Sequence, residues 1–197
     1  MSRIDNQKYY NEVVTRHGVS AQGVHWNSQM TQYKRFEVLL SMIDIHEHSR
    51  VVDVGCGFAD LYLYMKEKNI VFSTYIGLEM MELMVIEARK RVPCEIRVSD
   101  VLSATLPKAD YYICSGAMNI LTRDETYLFI RRCLDASSKG FVFNMLEGKD
   151  ESMVYNYFRP KEIEMYAKEL GVSYTMKRGY LPKDFTVFLA KQEGNGE

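Results

Sequence analysis

The feature that most constrains the fold of this chain is a regular alternation of strand-like and helix-like segments that begins at Arg50. Helical patterns separate the strands, and the clearest of them opens with Thr122 and Glu125, the two polar residues of a capping box. Alternation at this spacing predicts a parallel sheet with helices on both faces. The strand-like segments are residues 50–54, 74–79, 94–100, 109–116 and 140–146.

The C-terminal part of the chain predicts one more helix and a closing pair of strands. Pro160 is a favourable first helical residue and Gly171 a favourable terminator. Strand patterns follow at 172–178 and 185–191, and their short connection predicts antiparallel pairing because parallel strands need a longer crossover. The predicted fold class is therefore α/β, with a doubly wound, mostly parallel sheet.

The N-terminal part differs from the rest, because residues 1–49 contain two helix patterns and no strand pattern. We expect these residues to form a small helical cap that packs at the edge of the sheet or covers its ligand-binding end. Residues 50–192 then form the sheet domain. The short polar segment 193–197 is expected to be a disordered tail.

Charge and cysteine usage narrow the functional classes. The chain has 25 basic and 26 acidic residues, a formal net charge of -1 and no basic run, so we do not expect nucleic acid as a partner. The 4 cysteines are far apart, which is typical of reduced thiols in a cytoplasmic protein. No stretch approaches the roughly 18 apolar residues of a membrane span. We expect a cytoplasmic monomer or homodimer without membrane contact.

The sequence VVDVGCGFAD, residues 51–60, places two glycines directly after the first strand. In a doubly wound sheet, this turn lies where nucleoside cofactors bind. A dinucleotide fingerprint has a third glycine where Asp60 stands, and an aspartate at a helix start opposes phosphate binding. A Walker-type phosphate loop is excluded because no Gly-Lys-Ser/Thr follows. The turn therefore favours a cofactor that approaches glycine backbone closely and carries no phosphate.

Acidic residues at the next strand ends suit the nucleoside part of such a cofactor. Glu79 can accept both ribose hydroxyls, and Asp100 can accept from the adenine amine while the Val101 N–H faces a ring nitrogen. Asp53 is costly to bury unless it is hydrogen-bonded, so we expect it to fix the glycine turn through backbone N–H groups. S-adenosylmethionine, with a cationic sulfonium and no phosphate, fits this arrangement.

These residues resemble the motifs of the class I S-adenosylmethionine-dependent methyltransferases. Asp53, Gly55, Gly57, Glu79, Asp100 and the segment ICSGAMNIL (residues 113–121) are similar to those motifs in order and interval, and the resemblance runs from Val51 to Lys191. It implies a seven-stranded sheet of the Rossmann-like methyltransferase type, with the methyl donor across the first four strand ends. The family's signatures for adenine, cytosine and arginine methylation are missing. The predicted cofactor site comprises Asp53, Gly55, Cys56, Gly57, Glu79, Met80, Asp100, Val101, Ser115, Trp26 and Arg35.

Two members of this set come from the N-terminal part and have alternative interpretations. Trp26 is either a wall of the cofactor or substrate site or a hydrophobic staple onto the sheet. Arg35 either forms a bidentate contact with the carboxylate of the cofactor's methionine part or lies on a solvent-exposed face of its helix.

For the acceptor, the resemblance places substrate over the end of the fourth strand, near Asn119, and Tyr155 and Tyr157 are candidates for its pocket. No residue is assigned as catalytic base; His25 is one candidate, and Glu147 and Tyr155 are within reach without further support. The histidines have no metal-ligand spacing, so no metal site is expected.

The sequence thus predicts transfer of a methyl group from S-adenosylmethionine to an N, O or S atom of a small-molecule acceptor, with S-adenosylhomocysteine as product. Placement of the nucleophile in line with the methyl group is the main requirement. The short cap favours a small acceptor. The alternatives are a non-catalytic nucleoside-binding regulatory module and an NAD-dependent oxidoreductase, in which Glu79 would also hold a ribose.

Overall fold

The structure, a computed structural model, describes residues 29–149, 152 and 154–191. Within them strands and helices alternate as predicted. The strands are β1 Arg50–Val54, β2 Thr74–Glu79, β3 Glu95–Val98, β4 Ala109–Cys114, β5 Ser137–Glu147, β6 Tyr157–Phe158, β7 Ser173–Arg178 and β8 Asp184–Ala190. The helices are α1 Gln29–Leu40, α2 Asp60–Glu67, α3 Glu82–Arg91, α4 Arg123–Ala136 and α5 Pro160–Glu169, with a 3₁₀ helix at Ala117–Ile120.

The strands form one mixed sheet in the order β3-β2-β1-β4-β5-β8-β7. Strands β1 to β5 are parallel, and β8 runs antiparallel to both β5 and β7. The seven predicted strands and the antiparallel closing pair are therefore confirmed. Strand β6 was not predicted, because two residues are too few to show a period. The chain order reverses between β1 and β4, which places a ligand crevice at their carboxyl ends.

Helices cover both faces of the sheet. On one face, α4 and α5 pack on buried strand residues such as Tyr112 and Phe141. On the other, α1, α2 and α3 pack on residues such as Val51 and Ile113, and Leu39 of α1 is fully buried among them. Helix α1 therefore shares a core with the sheet. The first predicted helix of the cap and the tail 193–197 lie outside the described residues, and a division of the chain at residue 49 stays a prediction.

The predicted capping box of α4 and the predicted start and terminator of α5 are confirmed. The Thr122 hydroxyl accepts from the Glu125 backbone N–H, and the Glu125 carboxylate accepts from the Thr122 N–H, which completes the capping box. Pro160 begins α5, and Gly171 follows its end with φ +68°. In the described part of the chain, no helix is both long and apolar enough to cross a membrane.

Candidate functional site

A cavity of about 300 Å³ lies at the carboxyl ends of the parallel strands. It extends from the turn after β3, past the glycine turn after β1, to the end of β5. Every described residue of the predicted cofactor and acceptor sets lines it. Trp26 and His25 lie outside the described residues. The strand order thus brings side chains that are far apart in sequence into one cavity.

The glycine turn forms the floor of this cavity. The backbone N–H groups of Gly55 and Cys56 donate to the Leu78 carbonyl at 2.7 and 3.1 Å, which ties the turn to β2. Gly55 and Gly57 have φ of +72° and +53°, values that favour glycine. A Cβ at Gly55 would lie only 2.2 Å from the Ala117 Cβ. The first glycine is therefore required both by backbone conformation and by space.

Glu79 supports the same turn from the end of β2. Its buried carboxylate accepts from the Gly57 N–H through Oε2 and from the Met81 N–H through Oε1, both at 3.0 Å. Burial raises the pKa of Glu79, and these backbone donors oppose the rise. Because each carboxylate oxygen has two lone-pair directions, both oxygens retain capacity to accept a ligand hydroxyl.

Asp53 does not have the contact predicted for it. Its carboxylate accepts from the Tyr75 hydroxyl, and among the described residues it accepts from no backbone N–H. The physical reason is the alternation of β1, which points Asp53 to the same face as Val51, where Tyr75 also packs. Glu79 instead fixes the glycine turn. Asp53 still lines the cavity. Its attraction for a cationic ligand stays a prediction.

The environment of Asp53 predicts a pH dependence of stability. Burial raises the pKa of Asp53 from 3.8 to about 7, the Tyr75 hydroxyl opposes this rise, and the negative charge of Glu79 adds to it. The folded protein therefore binds more protons than the unfolded chain between these pH values, and the free energy of unfolding should fall as pH rises from about 4 to about 7. Urea titrations across this range should show a shallower fall for Asp53→Asn. Equal slopes for both proteins would contradict the assignment.

The adenine end of the predicted site lies two residues beyond β3. The strand ends at Val98, and Asp100 begins a turn in which its Oδ1 accepts from the Leu102 N–H at 2.9 Å. Arg132 of α4 donates to the carbonyls of Val101, at 2.6 Å, and Ala104. The turn is therefore held in place from both sides. Its predicted contacts with adenine stay a prediction.

Helix α1 borders the cavity opposite the sheet. Gln32, 4% exposed, donates to the Asp60 carboxylate at 3.0 Å, so it is a buried wall residue that sequence reasoning did not assign to the site. Arg35 lines the cavity and donates through Nε to the buried carboxylate of Asp184. Tyr180 donates to the same carboxylate at 2.9 Å. Contact of Arg35 with a ligand carboxylate stays a prediction.

The acceptor candidates lie where β4 and β5 end. Ser115 accepts from the Asn144 amide at 3.3 Å, and Tyr155 and Tyr157 line the cavity nearby. Of the candidate bases, Glu147 is held by Arg178, whose Nε donates to it at 3.0 Å. Phe58, Met84 and Phe129 also line the cavity, although they were not predicted as site residues. Their apolar side chains resemble those of ordinary core residues, so no sequence signal distinguishes them from the core.

No family model matches the chain, and no curated protein matches it in sequence. Solved structures do match it in fold. A SAM-dependent methyltransferase of Leishmania major is 16% identical over 94% of this chain and 81% of that chain, with a TM-score of 0.73. Magnesium protoporphyrin IX methyltransferase from Synechocystis PCC 6803, with bound SAM, is 15% identical over 83% and 79%, with a TM-score of 0.66.

A third neighbour, the small RNA methyltransferase HEN1, is 15% identical over 83% of this chain but only 25% of that chain, with a TM-score of 0.68. All three are similar to this chain in fold. The chain therefore has the fold of the S-adenosylmethionine-dependent methyltransferases, as the resemblance of its glycine turn and acidic strand ends predicts.

Proposed function

We propose that the cavity binds S-adenosylmethionine and releases S-adenosylhomocysteine. The observation that carries this proposal is the contact of Glu79 with the glycine turn. One buried carboxylate holds the Gly57 N–H and still faces the cavity at the position expected for a ribose. Gly55 lines the cavity, and a Cβ there would lie 2.2 Å from the Ala117 Cβ, so the turn can take this position beside the cavity only with glycine.

The charge of the cavity favours a cationic ligand over a pyrophosphate. Its lining includes the carboxylates of Asp60, Glu79 and Asp100, and also Asp53, whose pKa of about 7 leaves it partly ionised at neutral pH. Within the described lining, Arg35 is the only lysine or arginine, and it is paired with Asp184. A pyrophosphate would meet this acidic surface at a cost, whereas a sulfonium and an amino group are attracted to it. This argues against the NAD-dependent oxidoreductase.

The activity that this site supports best is methyl transfer to an N, O or S atom of a small-molecule acceptor. When bound, S-adenosylmethionine supplies an activated methyl group. The chain's own residues then have to fix the nucleoside, at Glu79 and Asp100, and to leave the ends of β4 and β5 open for the acceptor. Positioning of this kind accounts for much of the rate of such transfers. The non-catalytic binding module uses the same cofactor site and differs only in turnover.

The proposed class of acceptor rests on the net charge of the chain and on the charge and volume of the cavity. One structural neighbour is a small RNA methyltransferase, but this chain matches only 25% of that protein's length. The formal net charge of -1 and the acidic cavity do not favour a phosphate backbone. A small molecule suits a cavity of about 300 Å³. We therefore propose that the acceptor is a small molecule. We also propose that the protein is located in the cytoplasm.

Calorimetric titration of the purified protein with S-adenosylmethionine, S-adenosylhomocysteine and NADH, in parallel, tests the cofactor. We expect micromolar binding of the first two compounds and none of NADH. Binding of NADH alone would favour the oxidoreductase. Binding of the first two without turnover on any acceptor would favour the regulatory module.

A further inference from the structure

Arg132 of α4 is bonded to the turn that borders the cavity beyond β3. Its Nε donates to the Val101 carbonyl at 2.6 Å, and its Nη2 donates to the Ala104 carbonyl. Hydrogen bonds from a charged donor are stronger than those from a neutral one. Arg132 itself does not line the cavity, whereas Val101 does. Any effect of Arg132 on a bound ligand therefore has to pass through this turn.

One peptide group connects Arg132 to Asp100. The Val101 carbonyl, which accepts from Arg132, and the Leu102 N–H belong to the same planar peptide group. That N–H donates to Asp100 Oδ1 at 2.9 Å. A cation at the carbonyl polarises the peptide group and so strengthens donation by its N–H. The Asp100 carboxylate is therefore held by Arg132 through a single rigid unit.

The rest of the turn holds Asp100 without using up its carboxylate. The Ser103 hydroxyl donates to Asp100 Oδ2 at 3.2 Å, and the Ala104 N–H donates to the Asp100 carbonyl at 2.8 Å. Each carboxylate oxygen has a second lone-pair direction beyond its bond within the turn. Asp100 is partly exposed and lines the cavity, so it is open to a ligand.

The same side of α4 also contributes apolar lining near the turn. Phe129 lies one helical turn before Arg132, on the same side of the helix, and it lines the cavity together with Val101 and Leu121. Apolar side chains suit the faces of a neutral aromatic ring, and a carboxylate beside them can recognise a donor on the edge of that ring. Helix α4 therefore supplies apolar lining and, through Arg132, the orientation of Asp100.

We propose that Arg132 is a positioning residue for recognition of the nucleobase, because it holds the Asp100 carboxylate where it accepts from the exocyclic amine of adenine. This inference rests on the proposed methyltransferase function and specifies how the site selects its donor. A carboxylate attracts the 6-amino group of adenine and repels the 6-oxygen of hypoxanthine. Selection for adenine thus depends on the orientation of Asp100, and so on Arg132.

Calorimetric titration with two nucleosides tests this role. S-inosylhomocysteine differs from S-adenosylhomocysteine only at the base, where a 6-oxo group replaces the 6-amino group. Wild type should bind S-adenosylhomocysteine at least about tenfold more tightly, since the other compound loses one hydrogen bond to a charged acceptor. In Arg132→Met this preference should fall to about threefold or less, because the carboxylate is no longer fixed. Arg131→Met removes the neighbouring, exposed arginine and should keep the wild-type preference.

A conservative variant keeps the test decisive if Arg132→Met does not fold. Lysine retains the charge but not the rigid pair of donors that reaches two carbonyls, so Arg132→Lys should have a preference between those of wild type and Arg132→Met. Urea titration shows which variants are folded. A wild-type preference in folded Arg132→Met, or in Arg132→Lys where the methionine variant does not fold, would overturn the inference.

A double variant distinguishes positioning from a general structural effect. Asp100→Ala should lose the preference for adenine, and the addition of Arg132→Met should not lower it further, since Arg132 acts through Asp100. A further fall would show another route and overturn the inference. Equal binding of both nucleosides by wild type would also overturn it and leave the proposed function intact. Failure of wild type to bind S-adenosylhomocysteine would instead overturn the proposed function.

Discussion

Glu79→Ala is expected to weaken S-adenosylmethionine binding by about 1.5–3 kcal/mol, or roughly 10- to 150-fold in Kd. Two effects act together. The variant removes the acceptor proposed for the ribose hydroxyls, and it also leaves the N–H groups of Gly57 and Met81 without the carboxylate that holds the glycine turn. Calorimetric titration of variant and wild type measures the change directly.

Two further variants test whether a loss of affinity is specific to the contacts of Glu79 or follows from the removal of any nearby negative charge. Glu95→Ala removes an exposed carboxylate of the neighbouring strand β3 and should leave the affinity unchanged. Glu79→Gln keeps the size of the side chain and one acceptor oxygen, so its affinity should lie between those of wild type and Glu79→Ala. An unchanged affinity in Glu79→Ala would show that the ribose is held elsewhere.

Gly55→Ala is expected to lower the free energy of unfolding by about 2–5 kcal/mol. The methyl group would lie 2.2 Å from the Ala117 Cβ, and overpacking of this kind costs typically about 1–3 kcal/mol. The backbone adds a second cost, because φ of +72° is unfavourable for alanine by about 1–2 kcal/mol. Urea titration of the two proteins gives the difference.

The chain offers a matched control for the backbone cost. Gly171 has φ of +68°, and nothing lies within 4 Å of a Cβ placed there, so Gly171→Ala should show the conformational cost alone. Adding Ala117→Gly to Gly55→Ala should recover the steric part. If Gly55→Ala and Gly171→Ala are destabilised equally, the close contact with Ala117 is not what requires glycine in this turn.

Much of the fold and of the cofactor side was predictable, because it depends on local patterns. Parallel pairing follows from the alternation of strand and helix, and the carboxyl ends of parallel strands meet at one edge. Gly55 directly follows β1 and Glu79 is the last residue of β2, so both lie at that edge and line one cavity.

The remaining contacts depend on the packing of segments that are distant in sequence. Arg35 and Asp184 are 149 positions apart, and neither position shows a pattern that joins α1 to β8. The partner of Asp53 depends on which side chain of β2 faces it, and Tyr75 has no distinguishing signal in the sequence. The bond from Arg132 to the Val101 carbonyl likewise joins residues 31 positions apart, and neither position shows a pattern that indicates it.

We propose that Glu79 holds the ribose of S-adenosylmethionine in the cavity bordered by α1. A crystal structure of the complex with S-adenosylhomocysteine tests it most directly. We expect both ribose hydroxyls within hydrogen-bonding distance of the Glu79 carboxylate and the adenine beside Asp100 and Val101. A nucleoside bound with its ribose away from Glu79, or outside this cavity, would contradict it.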